Sequence, residues 1–189
     1  MKSNWTNYFY VFTILFFALG FVNILFGWLG LICLIMPFIL VARSGKKSWC
    51  QNYCPRSKLF TVVFKGRSLT GRTGPSWMNS SKAKWFFLAY FCINLLVITM
   101  STIRVYADFM PPMEKIRFLI AFILPWDVPQ LLSLVTIPEW ILHLSYRIYS
   151  MMFTTTVVGL LLAWLYQPRT WCRVCPINTL SDVALNKTP

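Results

Sequence analysis

The apolar positions of this chain neither alternate nor mark a single helix face; they run on. Residues 7 to 42 are almost all apolar, and as one helix they would extend about 54 Å, well past a hydrocarbon core of roughly 30 Å. The pattern therefore predicts a helical hairpin, broken at Gly27-Trp28-Leu29-Gly30, with spans near 8–26 and 29–43. A third span is predicted over residues 84–103 (KWFFLAYFCINLLVITMSTI). A fourth is predicted over 146–167 and ends at Pro168, which continues a helix poorly. Between them lies FLIAFILPWDVPQLLSLVTIPEWILHL, apolar but interrupted by Pro125, Asp127, Pro129, Pro138 and Glu139. It reads as an interfacial or re-entrant segment on the outer face rather than a fifth span.

The expected fold class is an all-α membrane protein, four transmembrane helices arranged as two pseudo-repeated hairpins. The expected organisation is a single membrane domain over 1–189. It comprises hairpin one (7–43), a cytoplasmic loop (44–83), span three (84–103), an outer segment (104–145), span four (146–167) and a cytoplasmic tail (168–189). A cleaved leader fits the first apolar run badly, since the run is too long and only Lys2 precedes it.

Composition agrees with that class. The chain is 57% hydrophobic and 12% charged, where soluble domains carry about 25% charged residues. The net charge of +13 is segregated. Residues 43–84 hold ten basic side chains (Arg43, Lys46, Lys47, Arg56, Lys58, Lys65, Arg67, Arg72, Lys82, Lys84) and no acid, whereas 104–150 hold four of each sign. By the positive-inside rule the first region is cytoplasmic and the second faces outward. Loop retention explains the excess charge, so nucleic acid is not an expected partner; membrane lipid is. Two crossings separate Trp49 from Trp171 however the first run is divided, so both surroundings face the same side. The expected location is a bacterial cytoplasmic (inner) membrane, with both termini on the cytoplasmic side.

Those surroundings carry the chemistry. The first half ends Trp49-Cys50-x3-Cys54-Pro55-x3-Leu59 and the second ends Trp171-Cys172-x2-Cys175-Pro176-x3-Leu180. Pairing the halves would gather four thiolates at one surface, a ligand set suited to tetrahedral zinc or an iron–sulfur cluster. Short Cys spacings closed by proline favour the cluster. Pro55 and Pro176 can each open a helix whose first amides point at an anion. Arg56, Arg173, Arg169, Lys46 and Lys47 are placed to offset the negative charge of such a cluster. Trp49 and Trp171 are placed to shield it from water. The alternatives are a membrane scaffold stabilised by four-cysteine zinc and a membrane thiol–disulfide oxidoreductase. A reducing cytoplasm and the CxxxC spacing disfavour the latter.

Other candidates carry less. Cys33 and Cys92 lie inside predicted spans and read as packing. His143, the single histidine, excludes a bis-histidine haem within one chain. Ligation of haem by His143 with Met151 or Met152, or a role for His143 in quinone contact or proton transfer, stays an open alternative. Asp127 and Glu139 read as solvated residues of the outer segment. GRSLTGRTGPS (66–76) lacks the strand context of a phosphate loop and reads as a flexible cytoplasmic loop, a candidate docking surface for an acidic electron carrier.

At WCQNYCPRSKLF and TTTVVGLLLAWLYQPRTWCRVCPINTL the chain resembles the membrane iron–sulfur proteins of the NosR/NapH type. Pro168-Arg169-Thr170-Trp171-Cys172 and Cys175-Pro176 are similar to that group's pattern. The resemblance implies a polytopic electron-transfer component rather than a stand-alone enzyme, with one [4Fe-4S] cluster on Cys50, Cys54, Cys172 and Cys175. It implies a redox partner protein, ferredoxin-like or a flavoprotein. A quinone or a partner-bound flavin remains a candidate second redox group, and oligomerisation stays open. Larger relatives add a ferredoxin-like tail, so the expected match is to a short form without it.

Overall fold

The computed structural model describes residues 8–72, 74–119, 122–123 and 137–185. The chain is mostly helical: α1 (Tyr10–Val22), α2 (Leu29–Ser44), α3 (Pro55–Phe64), α4 (Ser81–Tyr106), α5 (Glu139–Leu165), α6 (Thr170–Val174) and α7 (Pro176–Ala184). A two-residue antiparallel ladder joins β1 (Arg117–Phe118) to β2 (Phe122–Ile123). Asp127, Pro125 and Pro129 lie outside the described residues.

Among the described residues three helical segments are long and apolar enough to cross a membrane: Ile24–Ser44, Ser81–Tyr106 and Glu139–Leu165. At 13 residues α1 is shorter than the ~20 that a span needs. The first apolar run breaks at Asn23, ahead of the expected glycine cluster. The Asn23 amide donates to the Leu19 carbonyl at the end of α1, and its side chain accepts from the Leu25 amide at 2.9 Å. That short polar side chain competes with the helix for backbone partners and starts a 3₁₀ turn over Ile24–Trp28. The glycines serve packing instead. A Cβ on Gly27 would stand 2.8 Å from the Ser145 carbonyl oxygen, and one on Gly30 would stand 2.8 Å from Ile148 Cγ2. Small residues let backbones approach where apolar burial gives helices in lipid little reason to associate.

Two compact units divide the chain. One contains residues 15–32 and 92–155. Its core is Ile24, Met113, Ile116, Tyr146 and Tyr149, with Phe16, Phe17, Leu142 and Phe153 packed around them. Its non-helical stretch 113–119 lies along α5, whose side chains take its amides in turn. The Met113 amide donates to His143 Nδ1 (3.1 Å), Arg117 to Ser150 Oγ (3.1 Å) and Leu119 to Thr154 Oγ1 (3.3 Å). Irregular backbone persists at membrane depth only with such partners. In its described part the stretch 113–119 thus has protein partners for these amides on α5.

The other unit contains residues 1–14, 33–91 and 156–189 as far as they are described. Its core is Phe60, Met78, Ala163, Trp171 and Val174. The Phe60 ring lies so close to Gly159 that a Cβ there would come within 2.3 Å of it. Gly159→Leu should therefore destabilise the detergent-solubilised protein by about 1–3 kcal/mol, the usual cost of overpacking. Thermal melting checks this, and an unchanged melting temperature would refute the close packing of α3 on α5.

Candidate metal centre

The two cysteine motifs have different spacings and end in the same local geometry. In the first, the Cys54 amide donates to the Trp49 carbonyl at 2.8 Å, five residues back, so Trp49–Tyr53 forms one wide π turn. In the second, Thr170–Val174 is an ordinary α turn. A π turn is how a helix absorbs one extra residue, and the extra residue of Cys-x3-Cys relative to Cys-x2-Cys is taken up there. Proline then disfavours the helical region for the residue before it. Cys54 accordingly sits at φ −62°, ψ 112° and Cys175 at φ −58°, ψ 124°, each as the N-cap of a helix with proline in its first turn. Thus α3 and α7 begin where the sequence placed helix starts beside the thiols.

The thiols act on one another. Burial pushes Cys50 up to about 12, and the charges of Cys175, Cys54 and Cys172 push in the same direction while Lys47 opposes them. Cys172 is pushed up to about 11, again mainly by burial. Its sulfur lies 3.5 Å from Ser57 Oγ on α3, a contact that joins the two motifs directly. That hydrogen bond and the Arg169 charge favour the thiolate, while Cys175 and Cys54 disfavour it. Cys175 is raised by burial, against the pull of Arg56 and of the Asn178 and Ile177 amides. Those amides belong to the first turn of α7 and lean on the sulfur without making a full cap bond. In the free chain the raised thiols hold their protons at neutral pH, and metal binding would release them.

The donor set is four mutually coupled thiols, with hydroxyl, amide and guanidinium groups turned toward the thiolate form. Among the described residues no three of His, Cys, Asp and Glu are gathered closely enough to hold a single metal ion. A cluster places its thiolates farther apart than one tetrahedral ion does, because each binds a different iron. The four cysteines fit such a group in donor type and number.

The expected surroundings divide. Arg56 acts on Cys175, and Arg169 on Cys172. Lys47 acts on Cys50 while ion-paired with Asp182 and donating to Asn178 Oδ1 (3.2 Å); Arg173 instead donates to Asn79 Oδ1 (3.4 Å), and Lys46 is exposed. Trp171 is buried against Phe87, ring centroids 5.9 Å apart, in the core beside Val174. Trp49 is half-buried and contributes its carbonyl to the π turn. Pro55 and Pro176 are both buried.

Three features were missed by the sequence reading. Ser57 carries no spacing signal of its own. Cys33, read as packing, interacts electrostatically with Cys54 and Arg56. Asp182 is the one acid of the tail, and its partner Lys47 could have been sought among the basic residues before the first motif. His143 lies in the other unit, fully buried, and both ring nitrogens are engaged: Nδ1 accepts from the Met113 amide and Nε2 donates to Ser101 Oγ at 3.0 Å. With Ser101 donating onward to the Ile98 carbonyl (3.0 Å), neither nitrogen is free for haem or quinone. Glu139 is exposed in the first turn of α5, where a negative charge suits the helix dipole. Cys92 is exposed on α4.

The Lys47–Asp182 pair ties the chain before the first motif to α7. A double-mutant cycle with Lys47→Met and Asp182→Asn should give a coupling of ~0.5–3 kcal/mol, the range for residues in direct contact. Equilibrium unfolding in detergent measures it, and purely additive effects would remove the pair as a link.

Comparison with known families meets the structure at these motifs. The family model described as "4Fe-4S binding domain" matches residues 26–73 and 149–186. Each stretch contains one cysteine pair, and together they cover a little under half of the chain. No curated protein and no solved structure matches. The family match supports an iron–sulfur protein.

Proposed function

We propose that the chain is a membrane-bound electron carrier holding one [4Fe-4S] cluster on Cys50, Cys54, Cys172 and Cys175. The observation that carries this reading is that the Cys50 sulfur feels the other three thiols, although the motifs lie far apart in sequence. When bound, the cluster supplies reversible one-electron transfer. The chain's own part is to exclude water with the Phe60, Trp171 and Val174 core and to hold the thiolates with Ser57 and the first amides of α7. Arg56 and Arg169 add positive charge, and positive charge and hydrogen bonds at the sulfurs raise a cluster's potential.

The finer reading is of the NosR/NapH type, in a bacterial cytoplasmic membrane with the cluster at the cytoplasmic face. Two segments able to cross a membrane, α4 and α5, separate the motifs, which supports placing both on one side. The basic residues of 43–84 support the cytoplasmic side. The four-span arrangement and the pairing of two hairpins belong to this proposal, supported by the matching N-cap geometry of Cys54 and Cys175. So does a redox partner, ferredoxin-like or a flavoprotein, docking through complementary charge on the basic loop near Arg67 and Arg72, both exposed.

Protein purified without oxygen should be brown and contain about four iron and four sulfide per chain, as a cubane requires. Cys50→Ser and Cys175→Ser should each abolish the visible absorbance. Stoichiometric zinc without acid-labile sulfide would replace the cluster reading with the structural zinc site. Retention of the cluster after loss of one motif would point to ligation across two chains. For topology, single cysteines introduced at Arg67 and Glu114, both exposed, should react with impermeant reagent from opposite sides of sealed vesicles. Labelling of both from the same side would reject the arrangement.

A further inference from the structure

A second polar site lies in the unit built from residues 15–32 and 92–155, and electron transfer makes no use of it. Arg147 is 7% exposed on α5, eight residues after Glu139. At 1.5 Å per residue it stands about 12 Å along a helix apolar enough to cross a membrane. Its Nε is buried and has no hydrogen-bond partner. Arg117 is close enough for the two guanidinium charges to repel one another, and both charges also bear on the neutral His143. Among the described residues no carboxylate pairs with either arginine.

The two arginines line one cleft with Asn94, Ile98, Ser150, Met151 and Thr154. The described charged groups facing it are thus both positive, and the polar lining otherwise consists of an amide and two hydroxyls. Its free volume is ≈ 20 Å³, where a single water needs roughly 10–15 Å³. That room admits an oxygen atom or two of an oxyanion seated at the cleft and excludes an aromatic ring. An ionisable side chain inside a membrane segment is expensive and ordinarily faces a partner. Here two like charges and an unpartnered donor face the same small space. Guanidinium forks match tetrahedral and planar oxyanions in shape as well as in charge.

We propose that Arg147 and Arg117, with Asn94, Ser150 and Thr154, bind a phosphate-type oxyanion, either as free anion or as a phospholipid headgroup. The site is independent of the metal centre and stands whether or not a cluster is bound.

The test uses the full chain, as purified, in two arms. Delipidated protein in detergent is titrated with inorganic phosphate and followed by thermal melting. In parallel, protein released from phosphatidylglycerol nanodiscs is weighed by native mass spectrometry. Stabilisation by phosphate in the first arm identifies the free anion; one retained phospholipid in the second identifies the headgroup. Whichever arm responds, Arg147→Gln and Arg117→Gln should each weaken binding roughly tenfold or more, as loss of a charge-assisted hydrogen bond predicts. The exposed Arg104→Gln on α4 should leave it unchanged. Arg117→Gln keeps the test valid if Arg147→Gln does not fold, since Arg117 is only half-buried. No response in either arm, or an equal loss in Arg104→Gln, overturns the proposal.

Discussion

A chain this apolar offers its polar groups little water, and the rest of the structure follows from meeting them with protein. A buried donor or acceptor left alone costs about 1–3 kcal/mol, and a charge more. The stretch 113–119 shows how the demand is met. Its amides reach α5 at His143, Ser150 and Thr154, residues seven and four apart along one helix. Side chains that look out of place in an apolar helix are there to receive backbone, and irregular chain can then lie beside the helix without water. His143 belongs to this scheme: fixed between the Met113 amide and Ser101, it is a structural acceptor in its neutral form.

The same demand shapes the cysteine centre with the opposite sign. Four thiols brought together repel as thiolates, and burial disfavours the charged forms further. What opposes this is assembled from both motifs at once. Ser57 follows the first proline and reaches Cys172 of the second motif. Arg56 also follows the first and acts on Cys175. Neither motif supplies its own compensation in full. The first motif supports the thiols of the second, so the surroundings that favour the thiolate form are complete only once the two are in place.

Much of this was legible from the chain. Long apolar runs identify α4, α5 and the 24–44 segment, because a span's length is set by the bilayer and not by tertiary detail. The helix starts at Pro55 and Pro176 were readable, since proline fixes its own φ and restrains the residue before it. The break at Asn23 was not, because glycine attracts attention as a breaker while an asparagine acts through one side-chain hydrogen bond. The glycines of the same stretch are explained by α5, which is distant in sequence. Charge compensation was legible only as a pool of basic residues. Which of them acts on the thiols depends on partners such as Asn79 for Arg173, and these come from other elements.

Burial of the three segments long and apolar enough to cross a membrane differs in a way that bears on where function can reside. In their apolar windows 28% of Ile24–Ser44 and 22% of Ser81–Tyr106 are buried, against 44% of Glu139–Leu165. The first two present mostly side chains such as Ile32, Ile35, Ile93 and Leu96 outward, as lipid contact demands. The helix α5 is the one that carries polar cargo along its buried face: His143, Ser145, Arg147, Ser150, Thr154 and Thr156. All of these but Arg147 are neutral and can be met by one or two backbone or hydroxyl groups. A guanidinium cannot, since it brings five donors and a charge that no rotation removes. An apolar residue in its place would remove that cost, so the fold alone does not account for an arginine at this position. A ligand of opposite charge does.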